Sequence, residues 1–320
     1  MLVKLNGDIR RLMSMKVWRL HLRTSFLDYG HSQEELFEFC FKEGIIGVGW
    51  AQITNQIEAG ENIESSIRNQ AYEGYKDKPT PGIKAINAMN SMQVGDLIWT
   101  RCNGDYYLCK VNGRWIEQPY LEKYIDYDIT NYVPVTWLKI GMEDRVPGKV
   151  VSSFRPASAV QKIGEVEDIS AVIWNNYREC NDYSVNKSGL DIWTVLHDKS
   201  IEELVILYLQ VEKGYFVYSS TLKPVTRTYE CRMVNLDGEY AFPQVKSGSV
   251  SLNANDYMQA LTNNKNAKVY LFAASENYTK NEDKRFVYLT RRELEDFIKN
   301  HKQIVHPLVR DWMKMCGFFD

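Results

Sequence analysis

TRTYECRMVNLDG, residues 226–238, runs directly into EYAFPQVKSG, residues 239–248. Both segments carry strand-forming residues, and Asn235-Leu236-Asp237-Gly238 between them is a hairpin-type turn. The pairing sets an acid, Glu230, against Gln244-Val245-Lys246 on the next strand. Successive strand residues face opposite sides, so Gln244 and Lys246 share a face while Val245 enters the core. The Glu230 carboxylate, the Gln244 amide oxygen and the Val245 backbone carbonyl are the hard oxygen donors that Mg²⁺ or Mn²⁺ takes. Lys246 then stands where it can orient or deprotonate a water that attacks phosphorus. The pattern implies metal-assisted phosphodiester hydrolysis.

A helix precedes this strand pair. It opens at Ser200-Ile201-Glu202-Glu203-Leu204-Val205 and is followed by Lys213-Gly214-Tyr215. Ser200-x-x-Glu203 reads as a capping box, which gives Glu203 a structural task. Glu202 shares a face with Val205, Ile206 and Leu209. An acid on an apolar face is costly unless it is paired or bound to metal, so Glu202 is assigned to the site.

Helix acid, Gly-aromatic turn, acid strand and Gln-x-Lys strand follow one another in an order that resembles the PD-(D/E)xK restriction-endonuclease superfamily. The Gln matches its Mrr-like branch, which often replaces the last acid of the motif in this way. The resemblance covers residues 191–300. It implies a catalytic set of Glu202, Glu230, Gln244 and Lys246, with a divalent cation held by Glu230, Gln244 and Val245.

The first half of the chain reads differently. VWRLHL at 17–22 alternates as a strand does, and a helix from Ser32 to Glu43 stops at Gly44. GIIGVGW at 44–50 is a strand whose glycines permit close backbone approach. INAMNSMQVGDLIWTR at 86–101 passes from helix to strand, and DYYLCKV at 105–111 is the next strand. This order resembles PUA-like barrels of the EVE and YTH type, with Cys109 where that group often has Gly. VPGKV at 146–150 and Ser153-Phe154-Arg155 read as its closing segment. Such modules typically grip a flipped or single-stranded modified base in an aromatic pocket. Trp18, Trp50, Trp99 and Trp115 lie at or near these strands, and Trp50, Trp99 and Trp18 are the candidate base-binding residues. Trp50 leads because it follows Gly47-Val48-Gly49. Arg19, Arg23 and Arg101 are candidates for phosphate contacts.

A net charge of −2 over 320 residues excludes a generally basic nucleic-acid coat, so any grip on DNA is local. The six cysteines form no Cys-x-x-Cys, which argues against zinc and against a disulfide framework. No apolar run approaches membrane-spanning length, and the polar N-terminus lacks a secretory core; a cytoplasmic location is expected.

The sequence therefore predicts a mixed α/β protein: a PUA-like reader domain over 1–165, a linker helix over 166–190 and a nuclease core over 191–320. The expected activity is modification-dependent DNA restriction with Mg²⁺ or Mn²⁺. The partner is DNA carrying a modified base, with homodimerisation to cut both strands. A non-catalytic sensor of modified nucleic acid and an RNA-directed nuclease are the alternatives.

Overall fold

The computed structural model describes residues 15–49, 80–117, 121–185, 190–221 and 229–318. The protein is a mixed α/β chain that divides into two compact units. The first takes in residues up to 143 and from 153 to 184; the second takes in 144–152 and everything from 185 onward.

The first unit is built on strands β1 (Val17–Leu20), β2 (Ile45–Val48), β3 (Leu97–Cys102), β4 (Asp105–Val111), β5 (Ile116–Glu117), β6 (Asn131–Gly141) and β7 (Val160–Ile163). They form one curled sheet in the order β2-β6-β4-β3-β1-β7, with β5 paired to β6. Only β1 and β3 among them run parallel. Gly47 is required where β2 meets β6, since a Cβ there would fall 2.7 Å from that of Tyr132. The helix α1 (Gln33–Glu43) has the expected boundaries: a Ser32–Glu35 capping box opens it and Gly44, at φ 66°, closes it. Its Leu36, Phe37 and Cys40 join Trp18, Leu20, Leu22, Ile46, Ile98, Cys109 and Val133 in one core. Met89 reaches the same core from α2 (Thr80–Asn90). A short helix α3 (Glu122–Asp126) adds Tyr124.

One expectation for this half needs correction. Residues 144–152, which include most of α4 (Gly148–Ser153), belong to the second unit and do not close the first. Their place is fixed there by a contact of His197 Nε2 with the Val146 carbonyl at 2.7 Å. A Cβ on Gly148 would come within 2.8 Å of the Leu196 carbonyl oxygen, so the close approach demands glycine. The helix of the 166–190 segment belongs to the first unit, and the passage to the second falls after residue 184. That helix, α5 (Glu167–Arg178), buries Ile169 through Trp174 within the first unit.

The second unit opens with α6 (Ile192–Val195) and α7 (Asp198–Lys213), followed by β8 (Phe216–Val217), β9 (Met233–Val234) and β10 (Tyr240–Lys246). After β11 (Leu252–Asn253), the helix α8 (Met258–Asn263) leads into β12 (Ala267–Ala273). Then come β13 (Tyr278–Thr279), β14 (Phe286–Tyr288), α9 (Arg291–Asn300) and α10 (Pro307–Met315). The main sheet runs β14-β12-β10-β9-β8, and β11 pairs separately with β13. The apolar run at 268–273 is the buried strand between β10 and β14, with both pairings parallel. Thr290 and Glu293 form a capping box that opens α9.

Candidate functional site

The hairpin at the centre of the second unit forms as read, but only its closed end is regular. Val234 pairs with Tyr240 and Met233 with Ala241, across the turn at Asn235–Gly238. Continued in register, the ladder would set Cys231 opposite Pro243. Instead the Glu230 N–H donates to the Pro243 carbonyl at 3.0 Å. Proline has no N–H to return the bond, and the pairing slips by one residue. In the unslipped register Glu230 would stand opposite Gln244, and its carboxylate still reaches the Gln-x-Lys strand after the slip.

The contacts at that point are specific. Oε1 of Glu230 accepts from Nε2 of Gln244 at 2.9 Å and from the Val245 N–H at 3.3 Å. Nε2 of Gln244 also donates to the Val245 carbonyl at 3.2 Å. Gln244 is only 5% exposed, so this amide is a buried polar group with its donors spent inside the site. Val245 is buried, while Lys246 and Glu230 are half-buried.

Helix α7 packs on β10 and brings a second acid. Glu202 is half-buried, and burial is the main cause that lifts its carboxyl from the ordinary 4.5 to about 7. The negative charges of Glu230 and Asp198 raise it further, while Lys199 and Lys246 oppose them. Glu230 is also pushed up, first by burial and then against the Val245 N–H and Lys246, which favour its charge. Glu202, Glu230, Gln244 and Lys246 therefore meet in one electrostatic neighbourhood.

Sequence reading missed Asp198. It occupies the first turn of α7, one helical turn before Glu202, and its Oδ1 accepts from Ser247 Oγ at 2.5 Å. Its charge is felt at both glutamates. The i, i+4 spacing from Glu202 was the available signal. It was lost because the helix start was placed too late: α7 begins at Asp198 with His197 as its N-cap. Ser200 is thus inside the helix, and the proposed Ser200–Glu203 capping box does not form. Glu203 is exposed. The Gly-aromatic turn is structural: Gly214, at φ 69°, ends α7, and the buried Tyr215 donates its hydroxyl to Glu239.

Whether a divalent cation suits this place is decided by the donors. Glu230, the amide oxygen of Gln244 and the Val245 carbonyl are all oxygen ligands of the hard class. Nε2 of Gln244 bridges the other two, showing that both oxygens address one point. The oxygens are of the class such an ion takes, with the amide nitrogen of Gln244 standing between those of Glu230 and Val245. No group of three or more His, Cys, Asp or Glu side chains gathers as a metal cluster among the described residues. The set would rely on the amide and the backbone carbonyl.

The aromatic candidates of the first unit fare differently. Trp99 is fully buried and its indole N–H donates to Ser170 Oγ of α5 at 3.0 Å. Trp18 is 6% exposed and donates to Asp96 Oδ2 at 2.9 Å. The Asp96 carboxylate also accepts from the backbone N–H groups of Lys16 and Gln93. Both indoles are core residues, because this sheet is covered on both faces, and neither lines a base pocket. Trp50 lies outside the described residues. Next to it, the Gly49 carbonyl accepts from Asn131 Nδ2 at 3.1 Å. Oδ1 of Asn131, Oε1 of Glu117 and Nε1 of Trp115 are buried without a hydrogen-bond partner among the described residues. Glu117 stands opposite Asn131 across β5 and β6, and burial raises its carboxyl above the usual range.

No protein-family model, curated protein or solved structure matches this chain. No helix among the described residues is long and apolar enough to cross a membrane.

Proposed function

We propose that the chain is a nuclease that hydrolyses DNA phosphodiesters with Mg²⁺ or Mn²⁺ in its second unit and selects its target through its first. The observation that carries this reading is the contact of Glu230 with Gln244 and Val245, within charge range of Glu202 and Lys246. Glu202 comes from helix α7, Glu230 from the segment leading into β9, and Gln244 and Lys246 from β10, in the order that the PD-(D/E)xK resemblance implies. Glu230, Gln244 and Val245 would hold the cation. Bound there, it would polarise a phosphoryl oxygen and acidify water.

The protein's own groups divide the remaining work. Lys246 Nζ orients the attacking water. The Glu202 carboxylate, poised at about 7, accepts its proton, as suits a general base near neutrality. The water oxygen bonds to phosphorus, the ester P–O bond breaks, and the departing alkoxide takes a proton from solvent.

A modified base in foreign DNA is the target that the PUA-like resemblance implies. What supports it is the hydrogen-bonding capacity of Asn131, which contacts Gly49, the residue before Trp50, and of Glu117 opposite it. Such groups can read a base edge. A non-catalytic DNA sensor is favoured by one observation, the self-satisfied Glu230–Gln244–Val245 hydrogen bonds. Modified DNA, plain DNA and RNA, each incubated with and without Mg²⁺, separate these readings. Cleavage of modified DNA only with metal supports the proposal. Binding without cleavage selects the sensor, and cleavage of RNA alone the ribonuclease.

A further inference from the structure

Strand β1 turns Trp18 and Leu20 into the core and points Arg19 and His21 the other way. Parallel pairing sets Arg19 beside Trp99, and His21 and Arg101 each follow two residues later. Phe154 lies against this face. The Arg101 guanidinium is 5.1 Å from its ring centroid and that of Arg19 5.7 Å, and His21 meets it edge-on at 5.2 Å. Tyr106 accepts from Arg101 Nη1 at 3.3 Å.

No carboxylate pairs with these cations among the described residues. Arg19 is fully buried, a position where a cation is normally paired. Its donors go instead to neutral oxygens: the carbonyls of Ser153 at 3.0 Å, of Ser158, and of Ala159 at 3.4 Å, then Ser158 Oγ and Gln161 Oε1, both at 2.9 Å. Arg19, Arg23 and Arg101 form no ion pair among the described residues. The Glu143 carboxylate is felt at Tyr106 but bridges to none of them. The field is accordingly positive. Arg19 is pulled down to about 10 by burial and by Arg101. His21 is lowered by burial and by Arg19, Arg101 and Arg23, against the opposing contact with the Pro156 carbonyl. Arg19 has no N–H left to offer. Arg101 and Arg23 are exposed, and Arg101 spends one of its five donors on Tyr106.

We infer that Arg101, Arg23 and His21 bind a backbone phosphate of a nucleic-acid strand, on a platform fixed by Phe154 and buried Arg19. The inference rests on the nucleic-acid reading above and adds where the first unit meets the strand. A tetrahedral anion suits the free fork of Arg101, and such a contact supplies affinity without reading sequence. Arg19 acts as a positioning residue: it contributes charge and pins the segment that carries Phe154.

The test uses the full chain without divalent metal, with short modified and unmodified DNA duplexes across about 50–200 mM salt. Arg101→Gln should weaken binding to both duplexes alike, about tenfold at low salt, and should reduce the salt slope by about one phosphate contact. A folded variant with wild-type slope overturns the inference. So does a loss confined to the modified duplex, which would assign Arg101 to base recognition. Should Arg101→Gln not fold, Arg23→Gln carries the same readout. Independently, inorganic phosphate should raise the NMR-measured pKa of His21 in the wild-type chain, and an unmoved imidazole would count against the site. A slope that drops in a chain that never cleaves leaves this site standing and removes the nuclease reading; cleavage with an unchanged slope does the reverse.

Discussion

Glu230 and Gln244 meet although the pairing between their segments has slipped by one residue. The backbone of Glu230 bonds to Pro243, and its side chain reaches one residue further, to Nε2 of Gln244 at 2.9 Å. The amide nitrogen thus stands between the two oxygens, of Glu230 and Val245, that a cation would share. If metal binds there, the Gln244 side chain must turn to present its oxygen.

Removing the carboxylate tests this directly. Glu230→Ala should abolish Mg²⁺-dependent cleavage and weaken Mg²⁺ binding by calorimetry. It should also cost roughly 1–3 kcal/mol of stability, because a buried amide donor loses its acceptor. Glu230→Gln keeps an acceptor and should recover stability without activity. Lys246→Ala should lose cleavage with an unchanged melting curve.

Glu202 makes stability depend on pH. Its folded-state value, about 7, lies above the ordinary 4.5, so folding favours the protonated form. That stabilisation is complete below the unfolded value and is lost as pH rises through 7. In metal-free buffer, wild-type Tm should therefore fall relative to Glu202→Gln between pH 5 and pH 8. Mg²⁺ should narrow the gap by favouring the ionised carboxylate. Glu203→Ala, at an exposed position, should leave both the melting curve and cleavage unchanged; a clear loss of stability would restore the capping role that the helix start at Asp198 removes.

The buried indoles give a prediction about stability alone. Ser170→Ala leaves the Trp99 N–H without its partner in a fully buried place and should cost about 1–3 kcal/mol. Discrimination between modified and plain DNA should survive in the folded fraction. A selective loss of discrimination, with the Tm unchanged, would return Trp99 to the ligand site.

Trp50 carries the aromatic part of the reader proposal. Stacking on a base contributes about 1–3 kcal/mol, so Trp50→Ala should weaken binding to modified DNA by roughly tenfold to a hundredfold. Binding to plain DNA, governed by phosphate contacts, should barely change. Equal losses on both, together with a lower Tm, would identify Trp50 as a core residue.

What was legible in the sequence followed from periodicity and turn chemistry. The Gln244–Lys246 strand, the helix stop at Gly44 and the burial of Val245 all depend on local patterns. Glu202 was found because an acid on an apolar helix face needs a reason. Trp18 and Trp99 were misjudged because alternation marks two faces without saying that both are covered. Ser170 and Asp96, which satisfy those indoles, come from distant or unremarked positions. The slip at Glu230 was hidden as well: Pro243 forbids the returned bond, but sequence alone does not show on which side of the strand that bond was needed.

The way the chain alternates between its two units bears on how such proteins can be recombined. It leaves the first unit after residue 143, returns at 153 and leaves again after 184. A single cut near 165 would strip α5, and with it Ser170, from beneath Trp99. A cut near 190 would separate Val146 from His197. Neither half can be exchanged by one crossover. Moving the second unit elsewhere requires carrying 144–152 with it as an insert, because the Val146 carbonyl meets His197 there.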